Sequence, residues 1–93
     1  MDKKEARVVL AEHLARYRTR PYAELEKLLG DAEAYETDGP SGVTYQLTFQ
    51  TYLDGKESDD LRVLGTIDDG GWRWFSPLVD NFIMRRDGSF VDE

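Results

Sequence analysis

A chain of 93 residues with no cysteine, 12 Lys and Arg against 19 Asp and Glu, and a net charge of −7 is sized for one domain, 1–93, with neither a disulfide framework nor a thiolate metal site. The negative charge repels polyanions, so nonspecific binding to nucleic acid or to an anionic membrane surface is disfavoured. It is also unevenly divided: residues 1–30 hold seven basic and five acidic side chains, net +2, whereas residues 31–93 hold five basic and 14 acidic ones, net −9. A mixed-charge helical segment beside a sheet with acidic turns accounts for the division. A functional reading would make the basic helices a docking face for an acidic partner. No apolar run after the N-terminus is long enough for a signal peptide or membrane span, which sets a cytoplasmic location as the expectation.

From Asp2 to about Arg18, the residues Ala6, Val9, Leu10, His13, Leu14 and Tyr17 recur at intervals of three and four, the stripe of an amphipathic helix. Val8 falls outside the stripe, and Glu12 and Arg16 are spaced for an i,i+4 ion pair on the wet side. Pro21 suits a first helical turn, so the first helix stops near Thr19 and a second begins there. Its apolar face is Tyr22, Leu25, Leu28 and Leu29, and Gly30 ends it in the left-handed conformation.

Beyond Gly30 the period changes to two. The stretch Val43 to Leu53 alternates apolar and polar residues, which predicts a long strand with one buried face. Gly and Asp clusters punctuate the rest at 38–42, 54–55, 69–71 and 87–88, and tight turns join antiparallel strands. Strands are predicted at about 33–37, 43–53, 61–68, 72–78 and 82–86, with a short piece at 89–91. Placing Leu53 opposite Leu61 puts Phe49 opposite Gly65 and Leu47 opposite Ile67, the side suited to receive the helices. The other side then carries Gln46, Thr48, Gln50 and Tyr52 beside Arg62, Leu64, Thr66 and Asp68, polar enough to face water. A two-residue Asp-Gly turn sets Ile67 opposite Trp72, sends Trp72 and Trp74 inward and leaves Arg73 and Phe75 on the open face. A turn one residue longer reverses this, and the larger area of Trp72, Trp74 and Leu78 favours the first arrangement.

Chemistry is poorly served by this chain. The single histidine, His13, lies on the apolar stripe of the first helix, and no serine has a Gly-x-Ser-x-Gly setting. One His without Cys does not make a zinc site. Asp54, Glu57, Asp59 and Asp60 are clustered, as are Asp68 and Asp69, but neither group has the EF-hand spacing, and Asp with Gly is what tight turns require. Gly70 and Gly71 precede a strand rather than a helix and form no phosphate loop. The sheet aromatics lack the RNP signature of single-strand binders and sit in the segment of net −9. No metal and no cofactor is expected.

The run Thr66-Ile67-Asp68-Asp69-Gly70-Gly71-Trp72-Arg73, then Phe75 and Pro77-Leu78, and finally Phe82-Ile83-Met84 with Asp87-Gly88-Ser89-Phe90-Val91, resembles a family of short hypothetical bacterial proteins. Those sequences also open with a helical segment that ends in a stretch like Tyr22 to Leu25. The similarity covers nearly the whole chain and implies a bacterial α+β domain, with no assigned activity. The family has a smaller residue at the position of Trp74 and Ala-Pro at Arg85-Arg86, so the resemblance attaches no function to those three.

The architecture expected is α+β: two N-terminal helices (1–30) on one face of a four- to five-stranded antiparallel meander (31–93). In outline it also resembles beta-lactamase-inhibitor-like and cystatin-like layouts, an analogy that carries no function. The function expected is a small noncatalytic protein-interaction module that uses the open sheet face, with Tyr52, Arg62, Leu64, Arg73 and Phe75 as contacts, because aromatics and arginines on a polar surface favour binding. The alternative is a small enzyme or ligand-binding domain with a pocket between helices and sheet, where His13, Tyr17 and Tyr45 converge.

Overall fold

In the computed structural model, which describes residues 2–70 and 77–91, the elements are α1 (Lys3–Arg18), α2 (Tyr22–Glu26), β1 (Ala32–Asp38), β2 (Thr44–Leu53), β3 (Leu61–Asp68) and β4 (Leu78–Met84). The Asp2 carboxylate starts α1 by accepting the Glu5 amide at 3.1 Å. The buried residues of α1 are Ala6, Val9, Leu10, His13, Leu14 and Tyr17, the stripe read from the sequence, while Val8 is exposed. At its other end, Thr19 turns its hydroxyl back to the Arg16 carbonyl at 2.7 Å. Pro21 follows in an extended conformation as the residue before α2.

Helix α2 is shorter than its sequence predicts. It ends at Glu26; the Lys27 amide still reaches the Ala23 carbonyl four residues back, and from there the amides bond three residues back, Leu28 to the Leu25 carbonyl and Leu29 to that of Glu26. This tighter winding turns the chain so that Leu29 bridges to Thr51 of β2 and Gly30, at φ +82°, leads into β1.

The four strands form one antiparallel sheet in the order β1-β2-β3-β4. Phe49 lies opposite Gly65, Leu47 opposite Ile67 and Leu53 opposite Leu61, the register inferred from the alternation. Tyr45, Leu47 and Phe49 are buried, and Gln46 and Gln50 between and beyond them are exposed. The buried parity of the strands and the buried stripe of α1 belong to one core cluster. Within it the Tyr17 and Phe49 rings lie 4.5 Å apart, and the Arg18 guanidinium sits 4.2 Å from the Phe90 ring and 5.9 Å from that of Phe82.

The strand after β3 differs from the expectation. Ile67 pairs with Leu78, not with Trp72, and β4 runs without interruption through Val79, Asp80 and Asn81, the gap between the strands predicted at 72–78 and 82–86. In sequence, nine residues, 69–77, separate β3 from β4, so no two-residue hairpin turn joins these two strands. Positions 72–76 of the strand expected at 72–78, the orientation of Trp72 and Trp74, and the proposed contacts Arg73 and Phe75 lie outside the described residues, while Leu78 begins β4. Asp and Asn are tolerated in β4 because Asp80 and Asn81 are both exposed. Past Met84 the chain reverses through Gly88, at φ +89°, and returns so that Phe90 bridges Met84 and the Val91 amide reaches the Ile83 carbonyl at 2.9 Å.

One contact fixes how closely α1 approaches. A Cβ on Gly65 would lie 2.6 Å from Phe49 Cε1 and 3.0 Å from Leu10 Cδ1. Gly65→Ala is therefore expected to destabilise the fold by about 1–3 kcal/mol through overpacking. Leu47→Ala should cost about 2–5 kcal/mol through the cavity it leaves, whereas Thr66→Ala on the opposite face should stay within about 0.5 kcal/mol. Urea denaturation of the three variants checks the order, and a Gly65→Ala midpoint equal to that of the wild type would contradict this packing.

Candidate functional site

The face of the sheet opposite the core parity is built from cross-strand rows. Tyr52 pairs with Arg62 and Arg62 with Ile83; Gln50 pairs with Leu64 and Leu64 with Asn81; Thr48 pairs with Thr66 and Thr66 with Val79. Three of the predicted contacts, Tyr52, Arg62 and Leu64, are thereby neighbours. Tyr52 is 40% exposed and Val79 55%, while Arg62, Leu64 and Ile83 are half-buried. Val79, Asn81 and Ile83 were not legible as part of this face, because the predicted strands stop at 78 and resume at 82. The signal that would have found them is the alternation of Leu78, Phe82 and Met84 at even positions of the chain with Val79 and Ile83 at odd ones.

Arg62 is the organising side chain of this face. Its Nε and Nη2 donate to Asp54 Oδ1 at 3.1 and 2.9 Å, and its Nη1 donates to Asn81 Oδ1 at 3.0 Å. Asp54 belongs to the loop after β2, whose ends are joined by a 2.9 Å bond from the Asp54 amide to the Asp60 carbonyl. The guanidinium is thus held in place between β2 and β4. A surface arginine fixed in this way loses less rotamer freedom when a partner docks than a free one does. The Arg62–Asp54 pair is about one-third exposed, and its worth to folding is at most about 1 kcal/mol.

The residues proposed for a pocket between helix and sheet do not meet at one point. Tyr45 donates to Glu5 Oε1 at 3.1 Å, a carboxylate that also accepts the Ser41 hydroxyl at 2.8 Å. His13 Nδ1 and the Tyr35 hydroxyl share a 2.8 Å hydrogen bond. Tyr17 donates to Glu33 Oε1, which lies 3.5 Å from Arg20 Nη1, and the Arg20 guanidinium stacks 4.4 Å above the Tyr17 ring. Glu5 and His13 are two turns apart on α1, about 12 Å at 1.5 Å per residue. Each group is thus satisfied by its own partner. Burial, with the hydrogen bond to Glu5, pushes the Tyr45 hydroxyl up to about 12. Burial also raises Tyr17, whose hydrogen bond to the Glu33 carboxylate adds to the effect.

A groove of about 620 Å³ lies where the end of α1 approaches β1, with Arg16, Tyr17 and Arg20 on the helical side and Ala32, Glu33, Ala34 and Tyr35 on the strand; His13 does not line it. Sequence reading did not single out this groove, because the parity of β1 is masked by polar residues on both of its faces. No ion pair joins Glu12 to Arg16 among the described residues, nor does any group of three or more Asp, Glu or His side chains stand ready for a metal ion. No helix among the described residues is long and apolar enough to cross a membrane. Comparison with family models, with curated proteins and with solved structures gives no match to this chain.

Burial is the main cause that lowers the pKa of His13 from 6.5, with the Arg16 charge acting in the same direction and Glu12 against it. The unfolded chain therefore takes up a proton first as pH falls. The stability that depends on neutral His13 is intact above 6.5 and is lost as pH falls from there to the lower folded value. Denaturation midpoints measured from about pH 7.5 to about pH 5.5 should fall for the wild type and fall less for His13→Gln. Equal slopes for both proteins would contradict a neutral, buried imidazole.

Proposed function

We propose that this chain is a small noncatalytic interaction module in which both helical elements seal one side of the sheet and the opposite side engages a partner protein. The observation that carries the reading is Arg62, fixed by Asp54 and Asn81 and flanked in its own row by Tyr52 and Ile83. An anchored arginine beside a half-exposed tyrosine and aliphatic side chains has the composition of an interface centre, while Gln46, Gln50 and Asp68 supply a polar surround. Leu64 extends the apolar part by one row. Arg73 and Phe75 are included as contacts on the sequence reading alone. The net charge of −7 favours a protein partner over nucleic acid or an anionic membrane. A cytoplasmic setting, and membership of the bacterial family that shares the run Ile67 to Arg73, belong to the same proposal.

A photo-crosslinking residue placed at position 52 should capture a defined protein from the native host, and one placed at Val8, on the outer side of α1, should not. Arg62→Ala and Leu64→Ala should each lower capture at position 52 by about tenfold, the usual cost at an interface centre. Equal capture from positions 52 and 8, or capture indifferent to both substitutions, would remove the open face as the binding surface.

A further inference from the structure

We infer that the free edge of β1 is a strand-addition site for an extended, positively charged segment of a partner protein. The phase of the ladder follows from one bond: the Gly39 amide donates to the Val43 carbonyl at 2.8 Å, and the β1–β2 register is constant from there to Ala32. Thr37, Tyr35 and Glu33 accordingly exchange their backbone bonds with β2, and the amides and carbonyls of Ala32, Ala34 and Glu36 point away from the sheet. The other edge is treated differently, since the returning C-terminal chain covers β4 through the Val91-to-Ile83 and Arg85-to-Ser89 bonds. No described strand covers β1.

The space beside that edge is shaped for a chain. The 620 Å³ groove runs along β1, and Ala32 and Ala34 add almost no bulk where an incoming strand would lie. Charge then selects the occupant. Residues 31–55 hold five acids and no Lys or Arg, and four of those acids, Asp31, Glu33, Glu36 and Asp38, lie on or next to β1. Arg20 offsets Glu33, but Asp31, Glu36 and Asp38 have no ion-pair partner among the described residues, and Arg16 is the one further cation lining the groove. Two copies paired through β1 would set these acids against each other, so the edge is guarded against self-association and open to a basic strand.

The test uses amide hydrogen exchange with two capped hexapeptides, one alternating Lys and Val and one alternating Glu and Val. The Lys peptide at saturation should slow exchange at Ala32, Ala34 and Glu36 by about tenfold, and the Glu peptide should leave them unchanged. Ala34→Pro removes an outward amide that the β1–β2 ladder does not use, so it should abolish the protection while the Tyr35 and Tyr45 amides exchange as before. Should that variant fail to fold, the double substitution Glu36→Lys with Asp38→Lys decides, with an expected loss of about tenfold in affinity. Equal protection by both peptides, or retained protection in the tested variant, overturns the inference. So does protection confined to Tyr52, Arg62 and Leu64, or slowing of the β1 amides with protein concentration alone.

Discussion

The packing of the Phe49 ring over Gly65 is the constraint on which the rest of the structure depends. With no side chain on β3 at that row, the Phe49 ring can lie across the sheet, and Leu10 of α1 descends to the same spot. The row then extends through Tyr17, whose ring meets Phe49 from the helix. A slip of one residue between β2 and β3 would turn Tyr45, Leu47 and Phe49 outward and bring Gln46, Thr48 and Gln50 into the core, so the register and the choice of buried face are a single decision. A small domain has few other large side chains with which to make that decision.

Helix α1 packs against β3 and β4, and polar side-chain contacts then tie it to β1, β2 and their hairpin. Glu5, His13 and Tyr17 are spaced eight and four residues apart on one side of the helix, and each meets a polar group from the sheet or its first hairpin. Glu5 holds Tyr45 and Ser41, His13 holds Tyr35, and Tyr17 holds Glu33. None of these groups is left without a partner, as burial demands. The histidine and tyrosines named in the sequence as candidates for chemistry are thereby each engaged in tying the helix to the sheet. Their perturbed pKa values follow from that burial, a structural cause that mimics the signature of an active site.

Much of this was legible because it rests on periodicity. The stripe of α1 and the alternation of β2 report burial directly, and the β2–β3 pairing followed from matching Leu53 with Leu61. Three features were not legible. Helix α2 stops at Glu26 although Leu28 and Leu29 continue its apolar spacing, because the turn that follows delivers both leucines to the core without helical geometry. The strand β4 passes through Asp80-Asn81, since an edge strand can leave such residues in water, and a local turn preference gives way to pairing with β3. The groove beside β1 depends on where α1 ends relative to a strand that follows 14 residues later, which no local pattern encodes.

The same geometry explains why the two surfaces left to the protein differ in character. A sheet of four strands has two faces and two edges; the buried stripe of α1 shares one core cluster with one parity of the strands, and the C-terminal return bonds to part of the β4 edge. What remains is the open face and the β1 edge. The open face avoids nonspecific association by being mostly polar, with its apolar side chains gathered around an arginine whose position is fixed from both sides. The β1 edge cannot be made safe through side-chain polarity on one face alone, because its exposed groups are backbone amides and carbonyls, and charge is the device available to it. Four acids, Asp31, Glu33, Glu36 and Asp38, are concentrated on or next to it, against a basic helical segment on the same small domain. Like charges set edge against edge repel, so an edge carrying Asp31, Glu36 and Asp38 disfavours pairing with its own copy and favours a strand of opposite charge.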